Sequence, residues 1–235
     1  MTYLSEIPLN PLRRQTQSLL ANPQKLHAAV MGGLPYESDR GRRLWRLDQR
    51  EHRVDLLVLS PVRPSWDHLV EQAGWPGAEG GGARMASYDP LMALLMVGRQ
   101  FSFRLRANPV QNVRRPEYPT ARESLRMNDP DRTRSLRVGQ RTVSHQLDWF
   151  LARCSGDDDR WGFTVGARDD PSVALVHRQT LRFSKGKGLP DVVIGTATFE
   201  GRLTVTDVDV MRRSLLGGIG SAKAYGCGLL TLAPA

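Results

Sequence analysis

The order of apolar periodicities predicts an α+β chain of two tandem βαββαβ units, the ferredoxin-like arrangement. Three observations carry this reading. Strand-like and helix-like segments follow one another as strand, helix, hairpin, helix, strand within the first 97 residues. The same order recurs more loosely afterwards. A length of 235 residues leaves room for two cores of roughly 100 residues each. The expected domains are therefore 1–97 and 98–235.

In the first unit, Tyr3, Ser5 and Ile7 alternate with Leu4 and Glu6, so 2–9 reads as a short, edge-like strand interrupted by Pro8. A polar stretch through Gln17 separates it from a helix beginning at Asn22-Pro23. There Asn caps free backbone N–H groups, and Pro at the first helical position has no donor to waste. The helix runs to Met31 and stops at Gly32-Gly33. Leu26 and Val30 share its apolar face, whereas the three-residue spacing of Gln24 and His27 places both on another. Strands over 43–49 and 54–59 form a hairpin, 64–72 is helical, the glycine-rich 77–82 is a loop, and 84–88 is a closing strand.

In the second unit, Phe101, Phe103 and Leu105 alternate with Ser102, Arg104 and Arg106, predicting a strand over 100–110 with basic residues on one side. Residues 111–138 are polar, rich in Arg and Pro, and read as a long loop. A helix over 142–153 turns Val143, Leu147, Phe150 and Leu151 inward. Strands follow over 161–165, 172–183 and 192–206, then a helix over 207–216 capped by Thr206 or Asp207, and a last strand over 228–232.

Charge narrows the function. Lys and Arg number 33 against 24 Asp and Glu, a net charge of +9, and residues 98–235 carry +8 of it. That bias is the footprint of a polyanion partner such as nucleic acid. An arginine-heavy composition alone would give the same value, since 29 of the basic residues are Arg. The longest apolar run, Leu91 to Val97, is seven residues, far short of the roughly 20 a membrane helix needs. No secretory signal pattern opens the chain, so no membrane partner and a cytoplasmic location are expected. Cys154 and Cys227 show neither metal nor disulfide spacing and read as reduced packing residues. His52, His68, His145 and His177 share no metal spacing, so no metal site is expected.

The most informative stretch is Gly217-Gly218-Ile219-Gly220-Ser221-Ala222-Lys223-Ala224-Tyr225-Gly226-Cys227-Gly228. Glycines let backbone N–H groups approach phosphate, and Lys223 adds a point charge, so Gly218, Gly220 and Lys223 are candidate RNA contacts. A tight structural turn is the plainer alternative. With the following Leu229 to Pro234, this stretch resembles the carboxyl terminus of the CasE family, the CRISPR repeat-processing endoribonucleases of the type I-E Cascade complex. Phe103-Arg104-Leu105-Arg106-Ala107-Asn108-Pro109 and Phe199-Glu200-Gly201-Arg202-Leu203-Thr204-Val205 resemble the same family, in the same order.

The resemblance implies two ferredoxin-like domains and cleavage beside an RNA stem-loop by the RNA's own 2′-hydroxyl. It also implies retention of the product within Cascade, beside other subunits. Such a reaction needs no metal or other cofactor, only a group that moves protons near neutral pH. The family's catalytic histidine lies on the first helix, where His27 stands. Without the resemblance, a lone helical histidine reads as structural or solvated. Members of the family carry a tyrosine three residues earlier, where this chain has Gln24, which can orient a phosphate but not transfer a proton. Tyr36 and Lys25 are candidates for the second group, and a catalytically inactive RNA-binding scaffold is the alternative. The basic stretch Arg182-Phe183-Ser184-Lys185-Gly186-Lys187-Gly188 resembles the family's stem-engaging hairpin, making Arg182, Lys185 and Lys187 candidate RNA contacts. Arg40, Arg42 and Arg43 are further candidates.

Overall fold

The structure is a computed structural model that describes all residues except 36–40, 50–52, 118, 120, 129–134, 155–159, 168 and 187. Its strands form two antiparallel sheets, each flanked by helices, with a small two-stranded ribbon between them in sequence. In the first half, β1 (Tyr3–Leu9), β2 (Leu44–Gln49), β3 (Val54–Ser60) and β4 (Arg84–Ser87) assemble in the order β2-β3-β1-β4. This is the ferredoxin-like order. The helices are α1 (Arg14–Ala21), α2 (Pro23–Gly32), α3 (Asp67–Ala73) and the short α4 (Asp89–Ala93).

β1 is a central strand, correcting its edge-like reading, because it pairs with both β3 and β4. Pro8 does not prevent this. Pairing with β4 covers only Tyr3 to Glu6, so Pro8 needs a ladder on one side alone, opposite Asp55. Helix α1 was not legible in the sequence, where it reads as part of a polar stretch. It has only Thr16 and Leu19 buried, and Thr16 Oγ1 donates to the Ala73 carbonyl at 2.7 Å.

Both faces of this sheet are covered, which explains the unbroken apolar run of β3. Leu56 and Val58 pack with Ile7, Leu26, Val30, Trp45 and Leu69 beneath the helices. Leu57 and Leu59, with Leu44 and Tyr88, join the larger core of the second half.

That second half contains β5 (Gln100–Ala107), β8 (Phe163–Thr164), β9 (Val173–Phe183), β10 (Val192–Val205) and β11 (Leu230–Pro234). They take the order β11-β5-β10-β8, with β9 also paired to β10. Both β8 and β9 therefore fill the one position beside β10, a split version of the same topology. Helices α6 (Val143–Leu151) and α7 (Val208–Gly217) cover it. Phe150 is the hub of an aromatic core, with ring centroids 4.7 Å from Phe199 and 5.3 Å from Trp161. Cys154 and Cys227 are free and buried, as expected. Burial pushes the Cys227 thiol up to about 12, opposed by the Arg106 charge.

The segment expected to be one long loop holds β6 (Val110–Val113), α5 (Ala121–Met127) and β7 (Leu136–Gly139), with β6 and β7 paired. Among the described residues of this ribbon and α5 only Leu136 is buried, so no periodicity was there to read. No described helix is long and apolar enough to cross a membrane.

Candidate active site

Three elements far apart in sequence meet around the start of α2. Asn22 caps that helix through Oδ1, which accepts from the Gln24 N–H at 2.9 Å, and its Nδ2 donates to the Ser184 carbonyl at 3.3 Å. The cap thereby ties α2 to the turn of the β9–β10 hairpin. The 3₁₀ turn Lys223–Tyr225, within the glycine-rich loop, packs against α2. The Tyr225 ring sits 4.9 Å from Phe183 of the hairpin, and the Lys185 ammonium lies 5.9 Å over it.

His27 is half-buried on α2, and its Nδ1 is buried without a hydrogen-bond partner among the described residues. Burial holds its pKa below the ordinary histidine value. Neutral near pH 7, the imidazole can accept a ligand proton through its other ring nitrogen, since Nδ1 itself is enclosed. A titration of the RNA-free protein, followed by NMR on the histidine ring protons, is expected to place the His27 midpoint below about 6.5. Between the two values the unfolded chain binds more protons than the folded one. This group's contribution to stability is therefore complete above about pH 6.5 and falls as pH drops through the folded value.

The glycines of the loop have steric reasons that the sequence left open. Gly218 has φ 74° and a Cβ there would lie 2.6 Å from the Leu44 side chain; Gly226 has φ 79° and would meet Trp45 at 2.6 Å. The loop is thus pressed onto β2, consistent with the plainer reading of Gly218, while a Cβ on Gly220 would lie 3.5 Å from Trp149. Gly226→Ala is expected to cost about 1–2 kcal/mol from the left-handed backbone alone, with displacement of Trp45 added. Urea denaturation with an unchanged m-value would measure it.

Lys223 donates to the Gly217 carbonyl at 2.7 Å, at the end of α7. Burial and then the charge of Arg42 lower its pKa. Arg42, exposed, therefore belongs to the same electrostatic neighbourhood, while Arg43 is half-buried beside it in sequence. Arg182 is exposed at the end of β9, 3.9 Å from Asp191. Arg40, Lys187 and Tyr36 lie outside the described residues. Lys25 is directed to Ser18 Oγ at 2.9 Å, and two-residue spacing on a helix turns it away from His27. Among the described residues no group of three or more His, Cys, Asp or Glu side chains could hold a metal. His68 instead bonds the Ala29 carbonyl of α2 at 2.9 Å.

Tyr225 and Arg46 carry roles that sequence reasoning missed. Nothing in Leu44-Trp45-Arg46-Leu47-Asp48-Gln49 signals that Arg46 is 2% exposed. It grips Asp48 through two bonds of 2.8 Å and reaches the Arg104 and Leu229 carbonyls at 2.8 and 3.0 Å. This joins β2 to the second sheet.

Residues 2–234 match the family described as CRISPR associated protein. The chain belongs to the CRISPR-associated protein family. This CRISPR-associated protein is 27% identical to the CRISPR-associated endoribonuclease Cse3 of Thermus thermophilus, across 99% of the chain and 100% of that protein. It is 31% identical to the Cascade subunit CasE of Escherichia coli over 140 residues, 60% of the chain and 61% of the relative. A structure of Thermus thermophilus Cse3 bound to an RNA representing a pre-cleavage complex superposes with a TM-score of 0.72 at 26% identity, covering 99% of both chains. The CasE resemblance drawn from the sequence holds.

Proposed function

We propose that the protein is an endoribonuclease that cuts CRISPR precursor RNA at the repeat stem-loop and keeps its product as a subunit of Cascade. The observation that carries this is the meeting of His27's helix, the Lys223–Tyr225 turn and the Lys185 hairpin in a chain similar to Cse3 along its whole length. His27 is the catalytic residue of this reading. Arg42, Arg43, Arg182, Lys185 and Lys223 hold phosphates, joined by Lys187 and Arg40, and Gly218 and Gly220 shape the backbone beside them. Residues 1–97 supply the histidine and 98–235 the basic hairpin and glycine loop, as two domains working in the cytoplasm.

In the reaction, the 2′-oxygen attacks the adjacent phosphorus while the bond to the 5′-oxygen breaks. A proton leaves the 2′-hydroxyl and another reaches the departing 5′-oxygen, and no metal is required. Neutral His27 suits proton acceptance, and the lysines stabilise the charge that builds on phosphate oxygens. Incubation with the host's repeat RNA in excess EDTA tests this. Wild type is expected to cut the all-ribose RNA, and to bind but not cut one lacking the scissile 2′-hydroxyl. Cleavage of the deoxy substrate, or cleavage of the all-ribose RNA that proceeds without EDTA and stops in it, overturns the mechanism. Gln24, one turn before His27, favours the second reading of an RNA-binding scaffold without chemistry; tight binding with no cleavage would select it.

A further inference from the structure

A groove of about 950 Å³ is lined by the β6–β7 ribbon, α5, β9 and β10, and by Ala222 and Tyr225 of the glycine loop. Four arginines, Arg126, Arg137, Arg141 and Arg178, line it against one acid, Glu123. Arg141 is paired with Glu123 at 3.2 Å, and Arg178 is held by Gln146 at 2.8 Å. Arg126 and Arg137 are exposed and make no ion pair among the described residues. Among the described residues, then, these two cations have no acidic partner and can meet phosphate.

The floor is built to admit something. Gly139 and Gly195 line the groove, and a Cβ on either would meet nothing within 4 Å. Beside Gly195, Val193 is 50% exposed, and with Val110 and Ala222 it gives the groove apolar surface between the arginines. Phosphate-binding cations with apolar and aromatic surface between them are the requirements of single-stranded nucleic acid. The volume is at the upper end of the roughly 300–1,000 Å³ of small-molecule sites, which suits a few unstacked nucleotides and not a double helix.

We infer that this groove binds the single-stranded RNA flanking the stem-loop, leading it away from the scissile position past Tyr225. The inference rests on the proposed function and extends it to a segment of substrate outside the stem. It gives the β6–β7 ribbon and α5, otherwise unaccounted for by the two ferredoxin-like units, a purpose: they supply one wall together with Arg126 and Arg137.

The test measures affinity for three uncleavable repeat RNAs, each lacking the scissile 2′-hydroxyl: the bare stem-loop, the stem-loop with a 5′ single strand, and with a 3′ single strand. Two variants are compared with wild type. Arg126→Ala/Arg137→Ala removes the free charges; Gly195→Val fills the floor at a strand position that accepts a β-branched residue. Both are expected to weaken binding of a flanked RNA about tenfold and leave the bare stem-loop within about twofold. The double variant should also flatten the salt dependence by roughly 0.7 for each single-strand phosphate that is no longer neutralised. Arg126→Lys/Arg137→Lys should restore most of the affinity. Weakening confined to one flanked RNA identifies which strand occupies the groove. Equal weakening for all three RNAs, or none with the flanked ones, overturns the inference. Failure of wild type to bind the bare stem-loop overturns the proposed function itself.

Discussion

Replacing His27 with Ala is expected to slow single-turnover cleavage of repeat RNA by about 10²- to 10⁴-fold, the usual worth of a positioned acid or base. Affinity for the uncleaved stem-loop should stay within a few-fold, because the phosphate contacts sit on other elements. Stability should hardly change. The imidazole gives up no intramolecular hydrogen bond at its buried Nδ1, and the helix keeps its Asn22 cap and its buried Leu26 and Val30. Single-turnover kinetics at saturating protein, with filter binding beside them, would measure both. A rate within about threefold of wild type would remove His27 from the chemistry. A parallel fall in affinity and thermal stability would mark it as structural.

The second large effect concerns architecture. Arg46→Met is expected to destabilise the fold by about 3–5 kcal/mol, the cost of leaving one member of a buried ion pair behind. At roughly 2–4 °C per kcal/mol for a chain of this size, that is a fall in Tm on the order of 10 °C. Among the described residues Asp48, 13% exposed, would keep only Arg104, whose Nε lies 3.2 Å away. The Leu229 carbonyl and Thr231 Oγ1, reached by Arg46 at 3.0 and 2.9 Å, would be left without this donor. Arg46→Lys should rescue little, since an ammonium cannot reproduce the planar fork that serves four partners at once. Differential scanning calorimetry decides it. A shift below about 2 °C would mean that the two sheets are held together by apolar packing alone.

This bridge matters to function because the candidate site is shared between the halves. His27 comes from α2, whereas Lys185 and Tyr225 come from the hairpin and loop of the second half. Loosening the joint should therefore lower cleavage by misplacing the phosphate contacts relative to the histidine, even where each half stays folded.

Much of this was legible in the sequence. The alternation of Phe101, Phe103 and Leu105 marked β5, and the Asn22-Pro23 start marked α2, because backbone preference and the periodicity of one buried face are local properties. The glycine loop and the basic stretch around Lys185 stood out by residue type, whereas His27 was singled out only by the resemblance to the CasE family. Other features were not legible. Helix α1 buries too little to show a period, and Arg46 reads as an ordinary polar strand position. The segment 110–139 buries only Leu136 among its described strand and helix residues, so its polar composition matches that of a loop. The sequence by itself determined which elements form and which carry reactive or cationic groups. Only the tertiary structure decided that α2, the loop and the hairpin converge, that Gly218 and Gly226 are pressed onto β2, and that free arginines face a groove. Local periodicity sets which face of an element is buried. Its neighbour is chosen by the shapes and buried polar groups of distant segments, as Arg46 and Thr231 meet across 185 residues of chain.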